Sequence, residues 1–228
     1  MSQSLTIGVV NDAILRLARK AGIARVSSLL YDGVRTEMGE YLEELLQKVI
    51  IFTENGRRNT IKEQDVINAL RELGIDQVGL PLKGRCPIYN DRWLTRGAHH
   101  DFTQRGGSNE DASDDDDLES NDLYEQVGGQ KKYKYHPGTV ARREIRYYQK
   151  KNNCLIFPKA PFERKVRDIA MNYMANLRIT QPGILLIQSS TESHLLKLLQ
   201  AAALIAHETG HKTVDAKHLI LAKKVREQ

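Results

Sequence analysis

Apolar residues recur at spacings of three and four along two stretches of the chain, and neither stretch shows the alternation of a β-strand. In the first stretch this spacing predicts a short helix that Asn11 or Asp12 can cap and that runs through Lys20. It also predicts a long helix that Ser27 or Ser28 opens and that reaches Asn55, where Asn55-Gly56 can end it. A third helix through Leu73 is predicted because the motif over 60–63, Thr-Ile-Lys-Glu, resembles a capping box. Apolar side chains that would line one face of the long helix are Val34, Met38, Tyr41, Leu42, Leu45, Leu46, Val49 and Phe52.

The C-terminal stretch has the same plan. Pro161 is expected to start a short helix that runs to about Asn176. Pro182 stands in a favourable first-turn position for a long helix, which Gly210 can end. Asp215 can cap a last short helix. The apolar face of this long helix would consist of Ile184, Ile187, Leu195, Leu198, Leu199, Ala202 and Ile205.

The two stretches share one register, since a shift of 153 residues takes Val34 onto Ile187 and Leu42 onto Leu195. Such a repeat is stronger support for the helices than any single helix boundary. A long amphipathic helix between two short ones cannot bury its stripe of apolar side chains alone. Two such units that cross at their long helices can bury both stripes. We therefore predict an all-α fold in which two short–long–short units pair head to tail within one chain.

Charge divides the chain into three parts. Net charge is 0 over residues 1–75, −7 over 76–129 and +12 over 130–228. In the middle part helical periodicity fades, and seven of the ten residues over 110–119 are acidic, which is typical of a solvated linker. The predicted domains are thus 1–75, a linker over 76–130, and 131–228.

Composition excludes two classes of protein. Two cysteines cannot form a disulfide framework, so nothing indicates secretion, and a signal peptide is not expected. The longest apolar stretch, over 195–206, is too short to span a bilayer. A strongly basic C-terminal part usually indicates nucleic acid or another polyanion as partner.

The residues themselves resemble two core histones. The run over 12–31 is similar to the start of the core histone conventionally numbered four, and the run over 135–150 is similar to the N-terminal helix of the one numbered three. Further matching segments are Thr53-Glu54, Arg57-Arg58, Thr60, Asp65-Val66, the run over 161–170, Leu177-Arg178 and the run over 188–192. Two dimer partners fused in one chain resemble the histone doublets of large DNA viruses.

The resemblance implies a protein that wraps double-stranded DNA without reading its sequence. Head-to-tail pairing would place Arg25 near Lys212-Thr213 and Arg178 near Thr60, which suits phosphates on both sides of a minor groove. Arg25 and Arg178 are the residues expected to enter the groove. Phosphate contacts are expected from Arg16, Arg19, Arg57, Arg58, Arg164, Arg167 and Lys212, with hydroxyl groups from Thr60 and Thr213. No cofactor, metal or membrane is expected.

An extra helix before the second unit resembles the family's helix at the ends of the wrapped DNA. It carries the cations Arg142, Arg143, Arg146 and Lys150, for which packing on the fold is the alternative role.

Long basic N-terminal tails are missing, and Leu15 and Ala24 stand where the family usually has cations. We therefore expect weaker DNA contacts than in an ordinary nucleosome. The protein is expected to be associated with chromatin in the nucleus or in a viral factory. If it is viral, it is also expected in the virion.

Assembly is expected to use two further surfaces. In the family, two copies of the second unit pair through a histidine and an aspartate, and the matching positions here hold Glu208 and His218. Neighbouring His207 is the alternative partner, and Ile205 lies on the same surface. A second histone-fold dimer or doublet would bind near Phe52, Asn55 and Asn68.

Two other functions fit parts of the sequence. One is a histone-fold scaffold in a transcription complex, which the neutral first part favours. The other, less favoured, is a zinc peptidase, because His207-Glu208-Thr209-Gly210-His211 matches the motif H-E-x-x-H and His218 could be a third ligand. Gly210 argues against the peptidase, because both histidines must lie on one continuous helix.

Overall fold

The structure, a computed structural model, describes residues 10–75, 138–151, 154–174 and 176–226. The N-terminal half consists of α1 (Asn11–Lys20), α2 (Ser28–Asn55), β1 (Thr60–Ile61) and α3 (Glu63–Glu72). An additional helix, α4 (Thr139–Lys150), precedes the C-terminal half. That half consists of α5 (Lys159–Met171), β2 (Arg178–Ile179), α6 (Gln181–Glu208) and α7 (Ala216–Arg226).

The predicted repeat is present in the helix boundaries. A shift of 153 residues carries α2, Ser28–Asn55, onto α6, Gln181–Glu208, at both ends. The same shift carries the first residue of α3, Glu63, onto the first residue of α7, Ala216. The prediction of an all-α fold is confirmed, because the two strands have only two residues each.

Two local predictions were wrong. Helix α5 ends at Met171 rather than near Asn176, and Asn176 has a left-handed backbone with φ of 62° that ends the turn. The capping box at α3 does not use the motif that begins at Thr60, because Thr60 belongs to β1. Instead the backbone N–H of Lys62 donates to Asp65 Oδ2 at 2.9 Å.

Each long helix packs against the short helices of the other half. Helix α2 contacts α5 and α7 as well as α6, and α6 contacts α1 and α3. Helix α2 approaches α7 so closely that a Cβ at Gly33 would lie 3.2 Å from Leu219 Cδ2. The described residues from Val10 to Ile75 and from Ala141 to Arg226 belong to one compact unit.

One apolar core runs through both halves. The predicted stripes of both long helices are buried, except for Phe52 and Ile205, which are half-buried at the helix ends. Burial of a leucine-sized side chain contributes about 1.5–3 kcal/mol, so neither half could keep its stripe exposed to water and remain folded. In the described ranges no helix has the length and apolar character needed to cross a membrane.

Some predicted segments cannot be placed. The predicted linker over 76–130 and the first seven residues of the predicted second domain, 131–137, lie outside the described residues.

Candidate nucleic-acid interface

Two pairs of loops join the halves, one at each end of the crossed long helices. At the first end Val26 and Val214 form a parallel bridge, with Ser27 N–H donating to Val214 O at 3.1 Å and Val214 N–H donating to Arg25 O at 3.0 Å. We call this the Arg25–Thr213 end, because Thr213 directly precedes Val214. It places Arg25 beside the loop of residues 211–213, as the sequence predicted.

At the opposite end β1 and β2 pair in parallel, with Thr60 opposite Arg178. The N–H of Arg178 donates to Asn59 O at 2.9 Å, and the N–H of Thr180 donates to Ile61 O at 3.1 Å. We call this the Arg178–Thr60 end. The hydroxyl of Thr180 also donates to Ile61 O at 3.0 Å, a role for Thr180 that the sequence analysis missed.

The two arginines expected to enter a minor groove are both available. Arg25 and Arg178 are exposed, and neither forms an ion pair with another described residue. Lys212 and Arg57 are exposed beside them, and Arg57 has a left-handed backbone with φ of 49°. Each end therefore presents an unpaired guanidinium, a further cation and, in Thr60 or Thr213, a half-buried threonine.

Arg58, by contrast, supports its loop. Its guanidinium forms two hydrogen bonds with the Asp65 carboxylate, at 2.9 and 3.2 Å, and Asp65 is only 4% exposed. Asp65 also accepts the N–H of Lys62 at the start of α3. The phosphate contact expected of Arg58 stays a prediction, and a phosphate would have to compete with this internal clamp to Asp65.

Two arginines of α1 are also engaged within the chain. Arg16 forms an ion pair with Asp12. Arg19 donates to Glu144 Oε2 of α4 at 2.7 Å and to the carbonyls of Ile23 and Ala24. Their side chains are each 12% exposed, so phosphate contacts from these positions would have to compete with internal partners.

Cations on α4 and α5 face solvent to different degrees. Exposed residues among those predicted to bind DNA are Arg142, Arg143, Arg146, Lys150, Arg164 and Arg167. Arg167 forms an ion pair with Glu163 at 2.5 Å. Helix α4 is tied to α1 through the ion pair between Arg19 and Glu144, so packing on the fold and presentation of cations occur together on this helix.

The residues predicted for pairing between two copies occupy different environments. Glu208 and His207 are exposed at the end of α6, with His207 Nδ1 3.7 Å from Glu208 Oε1. His218 is only 8% exposed, and its Nδ1 accepts the backbone N–H of Asp215 at 3.0 Å. Pairing of two copies through Glu208 and His218 stays a prediction, and one ring nitrogen of His218 is already used within the chain.

The other predicted interface residues, Phe52, Asn68 and Ile205, are half-buried. Asn68 Oδ1 accepts a hydrogen bond from Gln64 Nε2 at 3.1 Å. Large apolar side chains are exposed on the last turns of α6 and along α7, where Leu204 is 67% and Ile220 54% exposed. Leu204 lies one turn before Glu208 on the same helix.

The geometry required for the H-E-x-x-H alternative is missing. Helix α6 ends at Glu208, and Gly210 has a left-handed backbone with φ of 74°, so His207 and His211 do not share a helix. Among the described residues no three His, Cys, Asp or Glu side chains are grouped to hold a metal ion.

A buried carboxylate was missed by the sequence analysis. Glu192 on α6 accepts the N–H groups of Ile156 and Phe157, each at 2.9 Å, and the Nε2 of Gln188 at 3.0 Å. Burial raises the pKa of Glu192, while these hydrogen bonds oppose the rise. Glu192 thereby ties the segment before α5 to the long helix.

A second polar group lies between the long helices. Tyr41 forms a hydrogen bond with Ser190 at 2.5 Å, and its ring stacks on that of His194 with centroids 4.2 Å apart. Burial, followed by the charges of Arg226, Lys197 and Lys223, lowers the pKa of His194 to about 4. His194 is therefore neutral at physiological pH.

A family comparison agrees with this architecture. Residues 137–225 match the family model of the core histone domain, which covers the four core histones. The matched range contains α4, the C-terminal half up to residue 225, and the loops that carry Arg178 and Thr213. The protein therefore contains a histone fold in its C-terminal part.

Proposed function

We propose that the chain is a fused pair of histone folds that wraps double-stranded DNA without reading its sequence. The observation that carries the proposal is an exposed arginine at each paired-loop end, Arg25 at one and Arg178 at the other, with no ion pair to any residue that the structure describes. Histone folds bind DNA by inserting arginines into the minor groove where it faces the protein, with contacts to adjacent phosphates.

The charge distribution supports this role. Residues 130–228 carry a net charge of +12, and the exposed cations of α4 extend the basic surface beyond the loop ends. Such contacts hold DNA by counterion release, so binding should weaken steeply with salt and vary little with sequence. Helix α4 is proposed to contact the ends of the wrapped segment.

The finer identity is part of the same proposal. The N-terminal half would correspond to the core histone numbered four and the C-terminal half to the one numbered three, as in the histone doublets of large DNA viruses. The proposed partners are double-stranded DNA, a second copy of the chain and a second histone-fold dimer or doublet. The role is structural rather than enzymatic, and the proposed setting is chromatin, in a nucleus or viral factory, and the virion.

Nuclease digestion of DNA reconstituted with the full chain tests the proposal, with and without a second histone-type partner. We expect a protected fragment of discrete length. An Arg25→Ala/Arg178→Ala variant should shorten or abolish the protected fragment. Arg71→Ala is the matched control, because Arg71 is an exposed arginine on α3 away from both paired-loop ends. Equal protection by the double variant and the control would contradict the assignment of the loop arginines.

A scaffold in a transcription complex is the second candidate. The first 75 residues have no net charge, and exposed carboxylates such as Glu40 and Glu44 lie along α2. A scaffold would bind partner proteins through such a surface and leave DNA open to nuclease. The digestion experiment therefore separates the two functions.

A further inference from the structure

Different side chains stabilise the two paired-loop ends. In the N-terminal half the clamp between Arg58 and Asp65 joins the loop after α2 to the first turn of α3. A shift of 153 residues carries Arg58 onto His211 and Asp65 onto His218. The corresponding place in the C-terminal half therefore holds two imidazoles, whose ring centroids are 5.3 Å apart.

Both arrangements cap the last helix of their half in the same way. Lys62 N–H donates to Asp65 Oδ2 at 2.9 Å, and Asp215 N–H donates to His218 Nδ1 at 3.0 Å. His218 is buried, and it lies four residues after Val214, which forms the bridge to Val26. His218 therefore supports the Arg25–Thr213 end as Asp65 supports the Arg178–Thr60 end.

Protons affect the two clamps differently. A guanidinium and a carboxylate both keep their charges between pH 5 and 8, whereas imidazole is the side chain that ordinarily gains a proton in that range. A protonated imidazole carries N–H groups on both nitrogens and cannot accept a hydrogen bond. Protonation of His218 would set two donors, its own Nδ1–H and the Asp215 N–H, against each other. Protonation of His211 as well would place two cations side by side.

We propose that the His211–His218 pair is a pH-sensitive latch that releases the Arg25–Thr213 end in mild acid, while the Arg178–Thr60 end stays closed. The sign follows from the hydrogen bond: the closed loop requires an unprotonated Nδ1, so opening takes up a proton and is favoured as the pH falls. The consequence for DNA, release of one end before the other, rests on the proposed function. The latch itself does not.

The local charges are mixed in sign. Carboxylates stand close to the pair in the chain, and the bridge and α2 bring further ionic groups to the same end. The elements packed around the pair carry many titratable and charged residues. In the C-terminal half they are Glu192, His194, Lys197, His207, Glu208, Lys212, Asp215, Lys217, Lys223, Lys224 and Arg226. In the N-terminal half they are Arg25, Tyr31, Asp32, Arg35, Glu37, Glu40, Tyr41, Glu43, Glu44, Lys48 and Glu54.

Amide hydrogen exchange on the full chain without DNA tests the latch. The amides of Ser27 and Val214 report on one end, and those of Arg178 and Thr180 on the other. Protection factors, corrected for the intrinsic exchange rate at each pH, are compared from pH 7.5 to pH 5. If opening takes up one proton, protection at the first end should fall by a factor that approaches about ten per pH unit, with little change at the second.

His194 provides an internal check. Its protonation would lower the stability of the whole unit and so affect all four amides alike, whereas the latch predicts a difference between the two ends. Parallel loss of protection at both ends would overturn the proposal. The comparison is made within the wild-type chain, so it does not depend on any variant folding.

Variants sharpen the assignment. His211→Arg/His218→Asp rebuilds the clamp of the N-terminal half and should remove the pH dependence at Ser27 and Val214. His207→Gln is the matched control, because His207 is an exposed histidine at the end of α6, and it should keep the wild-type dependence. A double variant that folds and still opens in acid would also overturn the latch.

Discussion

Glu192 offers the most direct test of how the C-terminal half is held together. Its carboxylate accepts two backbone N–H groups from the segment before α5, at Ile156 and Phe157, and both of those residues are almost completely buried. Glu192→Ala would leave both N–H groups without their present acceptor, at residues that are at most 2% exposed. Each such group costs about 1–3 kcal/mol, so we expect a loss of about 3 kcal/mol in the free energy of unfolding.

Glu192→Gln should cost much less. Burial raises the pKa of Glu192, which means that the folded protein disfavours the charge relative to the neutral acid. An uncharged carboxamide removes that penalty and keeps one good acceptor. The expected loss is about 1 kcal/mol, the typical value of one hydrogen bond.

Urea unfolding at pH 7.5, followed by circular dichroism, measures both variants against wild type. Glu54→Ala is the control, because Glu54 is exposed on the last turn of α2 and should change stability by less than about 0.5 kcal/mol. An equal cost for Gln and Ala at position 192 would refute the reasoning, since the negative charge rather than the acceptor geometry would then hold the segment.

Three further predictions concern DNA binding, acid stability and assembly. Arg25→Ala/Arg178→Ala should lower the slope of log K for DNA against log salt by about 2, because each arginine that neutralises DNA charge contributes about 0.9. Fluorescence anisotropy across a salt series measures the slope. His194→Phe should reduce the stability lost between pH 7.5 and pH 5 by about 1 kcal/mol in urea unfolding. A histidine with a lowered pKa destabilises the fold as the pH falls below 6.5, and the half-buried position of His194 lets solvent weaken the effect. Leu204→Lys should lower the sedimentation coefficient if this surface joins two copies, whereas Leu29→Lys, at an equally exposed leucine, should not.

The apolar register was the part of the fold that the sequence could predict. Stripe positions such as Leu42 and Leu195 must be buried by some partner, and equal spacing in both stretches makes each long helix the natural partner of the other. The loop ends followed from the same register. Arg25 and Arg178 could be singled out because the shift of 153 residues takes one onto the other.

Contacts between distant segments could not be predicted in the same way. Arg19 and Glu144 are 125 residues apart, and no periodicity links them. Glu192 lies in a run of polar residues that resembles a solvated face, and only the packing of the segment before α5 turns it inward. The Arg58 clamp depends on a loop that brings the guanidinium back to Asp65, a geometry that helical spacing does not encode.

The two halves stabilise each other through one shared core, and this explains why both occur in one chain. Neither long helix can bury its stripe without the short helices of the other half, so separate chains would have to associate before either could fold. Covalent connection replaces that association by an intramolecular step at a high effective concentration. It also allows the two ends to diverge, because each half occurs once in each molecule. The clamp of Arg58 and Asp65 at one end and the histidine pair at the other are such a divergence, placed directly behind the surfaces proposed to hold DNA.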